Sequence, residues 1–167
     1  MSEEYVILVD EHDNELGVME KMQAHIEGKL HRAFSIFVFN DKGELFLQQR
    51  ALNKYHSAGL WTNTCCSHPR PNETIKDAAN RRLYEEMGMS CELTIKTSFI
   101  YKAPFDNGLT EHELDYVLIG TTNQNPQINR DEVESYSWKN LDSIKKDIIS
   151  NPDNYTAWFK IALERLF

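Results

Sequence analysis

The stretch from Thr74 to Met89 leaves this chain the least conformational freedom. Ile75, Ala78, Ala79, Leu83 and Met87 recur at the three- and four-residue spacing of a helix that buries one face. The spacing predicts a helix over Thr74–Met87, and Gly88 fits the position just past its end, where a left-handed backbone is wanted. The last turns hold Arg81, Arg82, Glu85 and Glu86. Adjacent carboxylates on a helix suit a divalent cation that neutralises a diphosphate. Arg82 is then out of place, a cation where one more metal-binding carboxylate is expected. Arg81–Glu85 and Arg82–Glu86 also read as plain i,i+4 ion pairs, each contributing about a few tenths of a kcal/mol. A thiol, Cys66, and an imidazole, His68, lie just upstream. The combination points to diphosphate binding put to a use other than hydrolysis.

Around this helix the pattern is mostly strands. Tyr5–Val9 is a short β-branched run, Asp10–Asn14 reads as a turn, and Leu16–Met19 is placed to pair back. Phe34–Phe39 and Leu45–Arg50 flank Asn40-Asp41-Lys42-Gly43, a hairpin signal. Further strands are predicted at Leu93–Tyr101, Glu113–Thr121 and Val133–Trp138, a short helix over Leu141–Ile149, and a final amphipathic helix over Tyr155–Leu166. Strands before, between and after helices predict an α+β or mixed α/β fold, and not the strict alternation of a doubly wound sheet. With 167 residues and no repeat, low-complexity tract or flexible linker, residues 1–167 are expected to form one domain.

A net charge of -8 argues against a general nucleic-acid or membrane-surface binder. It leaves room for a small anionic substrate in a locally basic pocket, because the global field is screened within about 8 Å. Met1–Glu4 carries no leader signature, and no run has the length of a membrane span. Cys65, Cys66 and Cys91 are odd in number with two adjacent, a poor disulfide framework, so reduced thiols in the cytoplasm are expected. No obligate protein partner is evident.

Several residues could carry chemistry. His25, His31 and His68 are scattered along the chain, while Glu111 and Glu113 are two apart on a predicted strand and so share a face. Two carboxylates on one face repel unless one is exposed, protonated or bound to metal. Together they make a His3Glu2 set suited to Mn²⁺, Mg²⁺ or Zn²⁺ with a sixth position open, although spacing alone leaves their convergence open. Cys65 and Cys66 point oppositely if extended, so one packs and the other faces a site. Cys66 is the candidate reactive thiol, and a nearby His68 or metal would lower its pKa. His12, His56 and His112 carry no assigned role and are expected at the solvated surface.

Ser67-x5-Glu73-x7-Arg81-Arg82-Leu83-x-Glu85-Glu86-x-Gly88-Met89 resembles the Nudix box, G-x5-E-x7-R-E-U-x-E-E-x-G-U, with departures at Ser67 and Arg82. In Nudix hydrolases the residue at the place of Arg82 is a glutamate that helps hold metal for attack by water. Further segments are Glu20-Lys21-x3-His25, Leu30-His31-x-Ala33-Phe34-Ser35, Gln49-Arg50-Ala51-Leu52-x-Lys54, Trp61-Thr62-Asn63-Thr64-Cys65-Cys66-Ser67-His68-Pro69, Glu111-x-Glu113 and Ala157-Trp158. In that order they are similar to the type I isopentenyl diphosphate:dimethylallyl diphosphate isomerases, Nudix-fold enzymes of isoprenoid synthesis, over nearly the whole chain. That family often has glycine where this chain has Ser67.

The resemblance implies an α/β/α sandwich with a mixed central sheet. It implies His25, His31, His68, Glu111 and Glu113 as metal ligands, and Cys66 and Glu113 as acid/base residues on opposite faces of a prenyl diphosphate. Tyr101 matches the tyrosine bonded to the catalytic glutamate, and Trp158 the indole beside the isoprene tail. Lys21, Arg50, Lys54 and Arg82 match diphosphate-contacting cations, and Glu86 the ligand of a Mg²⁺ that bridges to the diphosphate. The implied chemistry is protonation of an alkene by Glu113 and removal of an allylic proton by the Cys66 thiolate, with the reverse direction open. A carbocation-like intermediate calls for a dry site with π-density beside it. The alternative reading is a Nudix pyrophosphohydrolase of a nucleotide or prenyl diphosphate, and a third is a non-catalytic diphosphate-binding module.

Overall fold

Strands β3 (His31–Phe39) and β8 (Thr110–Thr121) run parallel side by side, from His31 opposite Glu113 to Phe39 opposite Thr121. This pair organises the sheet in a computed structural model that describes residues 4–54, 56–105 and 107–167. β8 pairs on its far edge with β7 (Thr94–Pro104), antiparallel. β3 pairs with β6 (Cys65–Ser67) and, at Leu8 opposite His31, with β1 (Tyr5–Val9). β2 (Glu15–Glu20) folds back on β1 as the turn at Asp10–Asn14 predicts. β4 (Leu45–Arg50) lies between β5 (Trp61–Thr62) and β9 (Val133–Lys139).

The helices cover both faces. Helix α2 (Ile75–Met87) starts at Thr74, whose hydroxyl accepts from Asp77 N, and ends at Gly88 with φ 63°. It packs Ala78, Ala79, Leu83 and Met87 against Phe34, Ile36, Val38 and Leu118. α3 (Leu141–Ser150) and α4 (Ala157–Leu166) lie on the other side, where Ile144, Trp158, Phe159 and Leu163 meet Phe37, Leu47, Tyr101 and Val117. Alternate β3 and β8 residues thus feed two separate cores, the α/β/α sandwich with a mixed sheet that the sequence pattern and resemblance predict. Among the described residues no helix is long and apolar enough to cross a membrane.

Two details differ from the sequence-based expectation. The Asn40–Gly43 turn forms, with Asn40 Oδ1 accepting from Lys42 N and Glu44 N, but the strands it joins pair only at Phe39 opposite Leu45. Turn chemistry is local, whereas each strand then finds a longer partner, β8 or β9, elsewhere in the chain. The second is a short helix, α1 (Lys21–Glu27), with no clear periodic signal. It exists because the Glu20 carboxylate accepts from Met22 N and Gln23 N, and Gly28 closes it at φ 66°.

Gly120 on β8 shows how tightly the sheet is covered. A Cβ there would lie 2.7 Å from Cys91 Sγ and 2.9 Å from Leu93 Cδ2. Gly120→Ala is therefore expected to lower unfolding free energy by about 1–3 kcal/mol through overpacking, read as a lower urea midpoint at unchanged slope.

Candidate active site

Strand register brings the predicted residues together. Tyr101 on β7 stands opposite Glu113 on β8, and Glu113 stands opposite His31 on β3. Glu111 and Asp115, two residues to either side, share the Glu113 face. Farther along β3, Ser35 stands opposite Cys66 on β6. The chain leaves β6 through Ser67 to His68, α1 contributes His25, and α4 contributes Trp158.

The imidazoles are presented in one tautomer. His25 Nδ1 lies 2.7 Å from the Lys21 carbonyl and His31 Nδ1 2.9 Å from the Lys29 carbonyl. A carbonyl only accepts, so Nδ1 carries a proton, and in the neutral ring Nε2 is left with the lone pair that can ligate a metal. Those lone pairs face carboxylates, with His25 Nε2 3.6 Å from Glu111 Oε2 and His31 Nε2 3.4 Å from Glu113 Oε2. His68 Nε2 is 2.9 Å from Glu113 Oε2. His31 Nε2 and Glu111 Oε2 are buried without a hydrogen-bond partner. A lone pair facing an anion in the interior repels unless a cation or proton lies between them. Ligand atoms of His25, His31, His68 and Glu113 all lie within 4.8 Å of one another. The donor set therefore fits a divalent metal with nitrogen and oxygen preference.

His56 corrects the expectation of a solvated side chain. Its backbone folds inward where Gly59 N bonds back to the Arg50 carbonyl. The buried ring stacks on Phe105 at 4.7 Å, stands edge-on to Trp158 at 5.8 Å, and puts Nε2 3.5 Å from Glu111 Oε1. Burial pushes its pKa down to about 3. His112 is also partly buried, with Nδ1 3.1 Å from the Gly28 carbonyl, whereas His12 is exposed as expected.

The two cysteines point oppositely, as an extended segment requires. Cys65 is fully buried on the α2 side, its Sγ 3.5 Å from Glu86 Oε2, while Cys66 faces the α4 side. Trp158 Nε1 donates to Cys66 Sγ at 3.0 Å, and Cys66 Sγ lies 3.1 Å from Asn63 Oδ1 and 3.5 Å from Ser35 Oγ. The lowered thiol pKa expected from His68 is not found. Burial pushes the Cys66 thiol up and the Asp115 charge adds to it, while burial holds His68 itself well below its ordinary value and so neutral. Across the site, burial works to raise Glu113, but its polar neighbours His31, Glu111 and Tyr101 outweigh it and hold the carboxyl below its ordinary range. Tyr101 Oη donates to Glu113 Oε1 at 2.6 Å.

The basic residues lie in the same cavity, of about 490 Å³, which is lined by Lys21, Arg50, Lys54, Arg82, Glu86, Cys66, His68, Tyr101, Glu111, Glu113 and Trp158 among others. Each cation is held by a neighbour. Lys21 meets Glu4 at 2.6 Å, Arg82 meets Glu86 at 2.6 Å, and Lys54 pairs with Glu132. The Arg50 guanidinium sits 5.2 Å over the Trp158 ring and donates to the His56 carbonyl. Glu86 Oε1 also accepts from Gln48 Nε2 at 3.0 Å, so Glu86 belongs to the cationic end and not to the imidazole cluster. The ordinary ion-pair reading of the helix holds as well: Arg81 bonds Glu85 at 3.1 Å and grips Glu73 through two nitrogens at 2.8 Å. Sequence reasoning assigned no role to His56, Glu132, Ser35, Asn63 or Asp115, although Ser35 and Asn63 stand in the family-like segments and Asp115 is the third acid in Glu111-x-Glu113-x-Asp115.

Residues 29–159 match the NUDIX domain family. The chain is 52% identical over 161 residues to an isopentenyl-diphosphate Delta-isomerase of Pectobacterium atrosepticum, covering 96% of this chain and 90% of that one. It is 54% identical over 158 residues to isopentenyl-diphosphate Delta-isomerase 2 of Photorhabdus laumondii, covering 95% and 89%. A crystal structure of a Deinococcus radiodurans protein shares the fold, with a TM-score of 0.82 at 17% identity, covering 98% of this chain and 99% of that one.

Proposed function

Since the chain belongs to the Nudix superfamily and, within it, to the type I isopentenyl-diphosphate Delta-isomerases, we propose that its cavity takes isopentenyl diphosphate and moves the double bond by one carbon to give dimethylallyl diphosphate. One observation favours this over hydrolysis: a thiol, Cys66, and a carboxylate, Glu113, share a cavity with an indole beside the sulfur. Hydrolysis of a diphosphate has no use for that pair. Arg82, bonded to Glu86, takes the place of a carboxylate that a hydrolytic metal cluster would need.

Lys21, Arg50, Lys54 and Arg82 hold the diphosphate, which replaces the carboxylates that neutralise Lys21, Lys54 and Arg82 in the free protein. Glu86 would hold a Mg²⁺ that neutralises charge on the same phosphates. The diphosphate does no chemistry, and its binding energy fixes a small tail against Trp158. Cys66 protonated and Glu113 ionised carry one proton between them. Sulfur gives it to the terminal alkene carbon, Glu113 takes one from the allylic carbon, and the double bond moves between. The pair ends with its proton on the carboxylate, from which the opposite direction, with Glu113 as the acid, begins. Tyr101 holds Glu113 in place through its hydroxyl. Trp158 offers π-density to positive charge at the tertiary carbon, a contact of roughly 2 kcal/mol when desolvated, more than tenfold in rate. Mn²⁺, Mg²⁺ or Zn²⁺ on His25, His31, His68, Glu111 and Glu113 would supply the positive charge that these crowded carboxylates lack. The substrate is a small molecule, and cytoplasmic action on it fits three free cysteines.

The test is incubation with isopentenyl diphosphate and Mg²⁺ or Mn²⁺, followed by chromatography of the products. Dimethylallyl diphosphate is expected, and stripping the protein of metal with a chelator is expected to stop its formation until Mn²⁺ or Mg²⁺ is restored. Release of phosphate or diphosphate without isomer would instead support the pyrophosphohydrolase.

A further inference from the structure

Asn63 is fully buried beside Cys66, and all four of its amide bonding positions have partners. Nδ2 donates to the Ile36 carbonyl at 2.9 Å and to the Cys65 carbonyl at 3.1 Å. Both carbonyls can only accept, so the amide has one orientation and Oδ1 must face Thr62 and Cys66. Thr62 Oγ1 lies 2.9 Å from that oxygen, and since the oxygen cannot donate, the Thr62 hydroxyl does. Thr62 Oγ1 in turn accepts from Thr156 Oγ1 at 2.9 Å. Thr156 is the N-cap of α4, the helix that carries Trp158 two residues on, and Trp158 Nε1 donates to Cys66 Sγ.

The chain closes on itself: Thr156, Thr62, Asn63, Cys66, Trp158 and back to Thr156 through one turn of α4. Every direction in it is forced by a group that can only donate or only accept. Thr62, Asn63 and Thr156 are 1%, 0% and 0% exposed, so water does not compete for these bonds. From this we infer that Asn63 is a positioning residue, which takes the Cys66 S–H on its carbonyl in the free protein and, with Trp158 on the sulfur lone pair, fixes the sulfur at the cavity wall, the S–H turning from Asn63 to the alkene once substrate is bound. Ser35 is the competing acceptor. Its hydroxyl donates to Asp115 Oδ2 at 2.7 Å, so toward Cys66 its oxygen can only accept, and the single S–H goes to the nearer Asn63 oxygen, at 3.1 Å against 3.5 Å. The inference rests on the isomerase reading for its catalytic consequence, but not for the bond itself.

Two readouts test it separately. In the infrared spectrum, the Cys66 S–H stretch, identified by its loss in Cys66→Ser, is expected at lowered frequency in the wild-type protein and at higher frequency in Asn63→Ala. A role confined to packing would leave that band in place. In turnover of isopentenyl diphosphate, Asn63→Ala is expected to lose about 10- to 100-fold in kcat, the cost of a misplaced reacting group, with KM within about twofold because the cationic end is untouched. Should Asn63→Ala fail to fold, Thr62→Val keeps the amide and removes one link, and is expected to move the S–H band and lower kcat with KM held. An S–H band that stays in place in whichever variant folds overturns the inference, and so does kcat that is unchanged or falls only in step with a rise in KM. A wild-type protein with the lowered band but no isomerase activity would sink the functional reading and leave the Asn63 bond standing.

Discussion

Cys66→Ala is expected to lower kcat for isopentenyl diphosphate by a factor on the order of 10³–10⁴, the upper range for a positioned acid/base group, with cooperative unfolding retained. In the proposed reaction the sulfur exchanges a proton on the Trp158 side, and no second thiol can replace it, since Cys65 faces α2 and Cys91 packs beside that same core. Cys66→Ser should be nearly as poor. A hydroxyl sits in the same place between Asn63 and Trp158, but it yields its proton far less readily than a thiol. KM should change little in either variant, because the cations proposed to hold the diphosphate are other residues of the cavity.

The second large effect is expected of Glu113→Gln. This substitution keeps the volume between Tyr101, His31 and His68 but removes the charge all three address. Two losses follow together. The carboxylate proposed to exchange the second proton is gone, which by itself is expected to cost about 10²–10⁴-fold in kcat. The imidazole cluster also loses its candidate anionic ligand, so metal affinity in chelator competition should fall by more than the roughly 10–100-fold that loss of an outer partner costs. Tyr101→Phe separates the two, since it removes only the 2.6 Å bond to Glu113 Oε1. It should lower kcat with metal content nearly unchanged.

How much of this was legible in the sequence depends on how local each cause is. Helix α2 was legible from Thr74 to Gly88, because its stripe and its terminating glycine are short-range. The opposite facing of Cys65 and Cys66, and the shared face of Glu111 and Glu113, followed from the two-residue period of a strand. The β3–β4 turn was legible but its strands' real partners were not, because β8 and β9 lie far along the chain. His25 was found by resemblance and not by pattern, since α1 depends on an unusual Glu20 cap. His56 was misjudged because nothing near it in sequence shows that Phe105, Trp158 and Glu111 enclose it. The Cys66 pKa was misjudged for a related reason. A nearby histidine lowers a thiol only when charged, and the burial that makes His68 neutral is a tertiary property. Arg82 showed a departure from the hydrolytic pattern in the sequence. Its bond to Glu86, and the Glu132 that stands 3.5 Å away, appear only once the fold is known.

The most direct measurement is turnover of isopentenyl diphosphate in D₂O with Mg²⁺ and Mn²⁺, read by NMR of the recovered prenyl diphosphates. Proton transfer by Cys66 and Glu113 predicts dimethylallyl diphosphate with deuterium in the methyl group derived from the terminal alkene carbon and, after repeated reversal, at the allylic carbon, with none at the carbon that bears the diphosphate. Free diphosphate or phosphate with no isomer, or isomer that carries no solvent deuterium, would contradict the account.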